Sequence, residues 1–127
     1  MLKVVIPSQK EFLKYKNECK VLYEKNQDKI GDKNSFDFVC KNTFFYVFIT
    51  GEILIGCIYY FYDNDGNLCL NAFSKPKMYP LNIECLKLST TWFNIDIYAQ
   101  VQNRASALCL IKAGFKRINK TEFILEK

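Results

Sequence analysis

From Phe44 to Tyr62 the chain is a nearly unbroken run of aromatic, β-branched and other apolar residues, interrupted by Gly51-Glu52. Residues of this kind fit a pleated surface, and a two-residue break with glycine first marks a hairpin connection. Phe44 to Thr50 and Ile53 to Tyr62 are therefore predicted to be antiparallel partners. Asp63-Asn64-Asp65-Gly66-Asn67 reads as a second turn and leads into Leu68 to Phe73, completing a three-stranded meander. The Asp-x-Asp-Gly pattern lacks a Glu six residues after the glycine and has no flanking helices, so it signals a turn rather than a calcium loop.

The flanking segments enlarge this sheet. Lys3 to Ile6 reads as a short first strand. Ser8-Gln9-Lys10-Glu11 has the spacing of a capping box, and Phe12, Tyr15, Cys19, Leu22 and Tyr23 follow at helical spacing as one buried stripe. Gly31 is a stop, and a short second helix is expected near Phe36 to Cys40. After Lys75-Pro76-Lys77, Pro80 fits the first turn of a helix whose inner face would carry Ile83, Leu86, Thr90 and Phe93. Ile95, Ile97, Ala99 and Val101 then alternate with polar residues, as a strand does. A helix between two strands implies a right-handed crossover and a parallel pair. Asn103 to Ala113 forms another helix, with Asn103 as N-cap and Gly114 after its end. Phe115 to Ile118 and Thr121 to Leu125 suggest a closing hairpin. The expected fold is α/β in composition: a mixed (α+β) sheet of six to seven strands flanked by three to four helices. No repeat or linker divides the chain, so residues 1–127 are read as a single domain.

Composition removes several chemistries. There is no histidine, which excludes Ser-His-Asp and Cys-His catalysis, His-ligated zinc and an imidazole base. The six cysteines include no C-x-x-C pair, so neither a redox motif nor a metal site is expected. Met1 to Pro7 is too short an apolar run for a secretory signal, and Cys57, Cys69 and Cys109 sit inside apolar runs. Reduced thiols in a cytoplasmic setting are expected. No apolar stretch reaches the roughly twenty residues that cross a bilayer, which argues for a soluble protein with no membrane partner. The net charge of +5 is dispersed, and only Arg104 and Arg117 among 18 basic residues are arginines. That pattern argues against nucleic acid.

The segment Asn103-Arg104-Ala105-Ser106-Ala107-Leu108-Cys109-Leu110-Ile111-Lys112-Ala113-Gly114-Phe115, with the order of elements before it, resembles the GCN5-related N-acetyltransferases (GNAT). In that family a strand leads into an N-x-x-[A/S]-x-x-x-[Y/L]-x-K-x-G-F helix. Asn103, Ser106, Leu110, Lys112, Gly114 and Phe115 occupy those positions. The resemblance implies a GNAT-like acyl-CoA N-acyltransferase fold with acetyl-CoA as cofactor. Two parallel strands, Leu68–Phe73 and Asn94–Val101, would splay, and the pantetheine arm would hydrogen-bond to the open edge as an added strand. The implied cofactor-binding residues are Leu70, Ala72, Phe73 and Ser74 on that edge, Leu81 and Asn82 at the crossover-helix start, and Asn103 and Ser106 on the next helix.

Two departures from the family stand out. Where relatives carry a [Q/R]-x-x-G-x-[G/A] loop, this chain has Ser74-Lys75-Pro76-Lys77-Met78-Tyr79-Pro80-Leu81-Asn82, with no glycine between Gly66 and Gly114. Lys75 and Lys77 could supply charge in place of a shaped backbone cradle. Leu110 stands where many relatives place an acidic Tyr, leaving no catalytic residue assigned; Tyr98, Asp96 and Glu84 are the nearby candidates. The expected function is acetyl-CoA-dependent N-acetylation of a small-molecule or protein amine by direct transfer, in a monomer or homodimer. The alternative is a GNAT-like binding or structural module without CoA activity, its groove filled by Met78, Tyr79 or Trp92.

Overall fold

Gly51 sits at φ 60°, a left-handed conformation that glycine adopts without steric cost, and Thr50 pairs with Ile53 across the resulting turn. The computed structural model describes residues 1–127. In chain order the elements are β1 (Leu2–Val5), α1 (Phe12–Ile30), α2 (Phe36–Asn42), β2 (Phe44–Thr50), β3 (Ile53–Tyr62) and β4 (Leu68–Ser74). They continue with α3 (Tyr79–Thr90), β5 (Ile97–Gln100), α4 (Arg104–Lys112), β6 (Lys116–Arg117) and β7 (Glu122–Leu125). One seven-stranded sheet runs β1-β2-β3-β4-β5-β7-β6. Every neighbouring pair is antiparallel except β4 and β5, which the α3 crossover makes parallel.

The unbroken apolar run in β3 follows from its position. Ile55, Ile58 and Tyr60 join a core with Leu70, Leu86, Ile97, Leu110 and Phe123 under α3 and α4. Leu54, Cys57 and Tyr59 join a second core with Tyr15, Cys19, Tyr23, Phe36 and Phe73 under α1 and α2. A strand buried on both faces has no reason to alternate. The α1 stripe forms as expected: Phe12, Tyr15, Cys19 and Tyr23 are buried and Leu22 is half-buried. Buried Tyr23 keeps its hydroxyl satisfied by donating to Asn34 O at 2.8 Å.

Three local expectations are corrected. The capping box at Ser8 does not form, because Gln9 Oε1 accepts from the Ile6 amide at 3.0 Å and Glu11 pairs with Lys3 instead. The helix therefore starts one turn later, at Phe12. The buried face of α3 is Cys85, Leu86, Ser89 and Thr90, with Ile83 only half-buried. Tyr60 fixes that rotation through a 2.7 Å hydrogen bond between its hydroxyl and Ser89 Oγ. Phe93 lies beyond the helix and packs on the Tyr60 ring at 4.4 Å. Finally, β5 and β6 are shorter than the alternation suggested, ending at Gln100 and Arg117. No helix is long and apolar enough to cross a membrane.

Candidate functional site

The parallel pair is brief. Leu68, Cys69 and Leu70 face Ile97, Tyr98 and Ala99, and there the ladder stops, although β4 continues to Ser74. On its other edge β4 stays paired with β3 through Phe73 opposite Cys57 and Ser74 opposite Gly56. The Lys75 amide donates to Ile55 O at 2.9 Å. Strand alternation then turns the Phe73 backbone toward β3 and leaves the Ala72 and Ser74 amides and carbonyls facing the gap. Gly56 permits this arrangement. A Cβ there would lie 2.5 Å from Phe73 O and 2.7 Å from Ser74 Cα, so only glycine lets the two backbones approach so closely.

Around the gap lies an open cleft of about 1080 Å³. Of the residues the family resemblance singled out, Leu70, Ala72, Phe73, Ser74, Asn82, Asn103 and Ser106 line it, whereas Leu81 packs against the core outside it. Asn82 Nδ2 donates to Ser74 Oγ at 2.8 Å, tying the start of α3 to the end of β4. Asn103 Oδ1 accepts from the Ser106 amide at 2.8 Å as the N-cap of α4. Met78 and Tyr79 form part of the wall without closing the cleft. Trp92 is elsewhere, 4.7 Å from the Tyr46 ring and stacked on Phe48.

The charged groups divide unevenly. Lys75 is held by Glu18 of α1 and so is not free for a ligand. Lys77 has no ion-pair partner and adopts φ 67°, the one non-glycine residue in that region. Helix α3 has no side-chain cap at Met78, and Pro80 contributes no amide, so its first turn is an uncapped positive end. Lys112 of α4 reaches across to this point, with Nζ 5.0 Å from the Tyr79 ring centre.

The three acid–base candidates read from sequence lie outside the cleft. Asp96 accepts from the Lys127 amide at 2.8 Å, Glu84 is exposed on α3, and Tyr98 is half-buried on the sheet face opposite Ala99. Sequence reading missed Asp28, the one carboxylate in the lining, which the end of α1 delivers. It also missed Gly56, although a glycine inside an apolar strand is a known sign of close backbone approach. The half-buried Cys109 faces the cleft, but burial raises its thiol pKa and keeps it a weak nucleophile.

This fold is that of the GCN5-related N-acetyltransferases. The chain superposes on the structure of the aminoglycoside acetyltransferase AAC(6')-Ib with coenzyme A, covering 100% of this chain and 95% of that one, with a TM-score of 0.68 at 11% identity. A Bacillus subtilis acetyltransferase in complex with CoA is similar over 100% and 99% of the two chains, with a TM-score of 0.68 at 12% identity. A GNAT-family acetyltransferase from Staphylococcus aureus Mu50 matches over 99% of each chain, with a TM-score of 0.61 at 11% identity. At these identities the likeness is one of fold. No protein-family model and no curated protein matches the sequence.

Proposed function

We propose that this chain is an N-acyltransferase that moves the acetyl group of acetyl-CoA to an amine, acting as a single domain in a reducing, cytoplasmic setting. The observation that carries the reading is the open β4 edge at Ala72 and Ser74, beside a cleft of about 1080 Å³. The residues present fit the cofactor. Backbone groups of Ala72 and Ser74 would hold the amide-bearing arm as an added strand. The uncapped start of α3, with Lys77 and Lys112 nearby, would hold the diphosphate by charge where glycines are absent. Bound there, acetyl-CoA supplies an activated thioester whose acyl group passes to the amine as the thiol is released.

The protein's own part is positioning and proton handling. Leu110 is buried and offers no proton, so the residue at this motif position contributes packing alone. Asp28 is the carboxylate that can accept the amine's proton through water. Calorimetry with CoA and acetyl-CoA tests the reading, with Ala72→Trp as the blocking variant. Binding by the native protein, its loss in the variant and an unchanged Tm are expected. The tie between Asn82 and Ser74 favours a second reading, a GNAT-like module without CoA activity, and absence of CoA binding at millimolar ligand would leave only that one.

A further inference from the structure

The cleft is lined from both sides of the sheet. Asn82, Cys85 and Ser106 belong to the α3–α4 side, whereas Leu22, Lys25 and Lys29 belong to the last turns of α1 on the other face. A cavity with both linings must pass through the gap where β4 and β5 part. If the acyl donor occupies the α3 end, the acceptor approaches from the α1 end. A smaller hollow of about 140 Å³ adjoins that end, between Asp28, Lys29, Gln100, Gln102 and Thr121, and is polar apart from Ile30.

The charge at this end has one sign in excess. Lys25 and Lys29 make no ion pair and face a single carboxylate, Asp28. Glu24 of the same helix does not line the cleft, and Asp32, just beyond the helix end, is already committed. Its Oδ1 accepts from the amide and side chain of Asn34, and its Oδ2 accepts from the Tyr59 hydroxyl at 2.6 Å. The negative end of the helix is partly quenched too, because Gln27 O accepts from the Gly31 and Asp32 amides. A polycationic acceptor would meet repulsion here with little acid to offset it.

We propose that the acceptor is a small amine that also carries a carboxylate or phosphate, and that Lys25 and Lys29 hold this anionic group while the amine points into the β4–β5 gap. The inference rests on the acyl-transfer reading for the direction of approach. Gln100, Gln102 and Thr121 supply neutral hydrogen-bonding groups beside Lys29. Asp28 is left to face the amine.

The test uses matched acceptors on the full chain: glucosamine with glucosamine 6-phosphate, tyramine with tyrosine, and spermidine as a polycation. Binding is read from amide chemical shifts with and without CoA, and turnover from thiol release in acetyl-CoA. The member of each pair that carries the phosphate or carboxylate should bind at least about tenfold more tightly than the partner without it and shift the Lys25, Lys29 and Gln102 amides. The phosphate and carboxylate pairs show which anion is preferred. The double variant Lys25→Gln/Lys29→Gln should lose that advantage, narrowing the difference within each pair to less than about twofold. Equal binding within both pairs, preference for spermidine, no binding of any acceptor with or without CoA, or an unaltered preference in the variant would each overturn the proposal. CoA titrations run alongside separate the two readings: CoA binding without an anionic preference removes this inference alone, whereas an anionic preference without CoA binding removes acyl transfer, and the acceptor role with it, and leaves only a site for anionic amines.

Discussion

Replacing Gly56 with alanine adds one methyl group at the point where β3 and β4 pass most closely. The new Cβ would meet Phe73 O at 2.5 Å and both Ser74 Cα and Ser74 Cβ at 2.7 Å. Two of these three atoms are backbone, so no rotamer change relieves the contact. Reaching ordinary van der Waals distance requires the end of β4 to move by about 0.9 Å, and overpacking of this kind costs about 1–3 kcal/mol. For a domain of this size the loss corresponds to a fall in Tm of roughly 5–10 °C. The displacement falls on the strand edge that faces the gap, and Ser74 would carry the Asn82 hydrogen bond and the start of α3 with it. A shift approaching 1 Å at a positioning element can lower turnover by about a hundredfold. Thermal unfolding by circular dichroism and CoA titration on the same variant measure both effects. A Gly56→Ala protein with native Tm and native CoA affinity would refute the reasoning.

Asn103→Ala removes the acceptor for the Ser106 amide and should cost about 1 kcal/mol in urea denaturation, with Asn103→Ser restoring most of it. Burial pushes the Cys85 thiol up to about 12, above its ordinary value near 9. The thiol's stabilising contribution is thus complete below pH 9 and declines as pH rises toward 12, by at most about 1.4 kcal/mol per pH unit. Tm in reductant between pH 8 and 10.5 should fall less steeply for Cys85→Ala, and an identical slope would remove this thiol from the account. Glu18→Gln releases Lys75 beside the start of α3, so CoA binding should tighten by about two- to threefold at low salt and less at high salt. Unchanged affinity at low salt would mean that Lys75 does not reach the cofactor.

The elements legible in sequence were those set by local chemistry. The Gly51-Glu52 hairpin, the Asp63–Asn67 turn, the α1 stripe and the Asn103 cap each depend on neighbours within a few positions, and each formed. The parallel pair was legible because a helix between strands leaves few other connections. What escaped depended on distant partners. Gln9 captured the amide of Ile6, Glu18 neutralised Lys75 across the fold, and Tyr60 chose the face of α3 through Ser89. The absence of glycine from residues 74–82 was visible, but the local geometry was not: Lys77 takes a left-handed backbone, and Lys112 of α4 packs on Tyr79. Asp28, Lys25 and Lys29 carry no local signature, since only the packing of α1 against β4 brings its last turns to the cleft.

The one parallel contact in the sheet also bears on the order in which the molecule assembles. The β2–β3 and β3–β4 hairpins close over short turns, whereas Leu70 can meet Ala99 only after the α3 crossover has been ordered. Closing that longer loop carries an entropic cost before any contact offsets it. The meander is expected to nucleate folding, with the β4–β5 junction joining afterwards and opening first. Native-state hydrogen exchange can read this directly, as amides of β3 outlasting those of β5, and the reverse order would contradict it. The split that opens the cleft would then mark the seam between an early-folding and a late-folding part, so that brief local opening could admit an extended ligand without disturbing the aromatic core beneath α1.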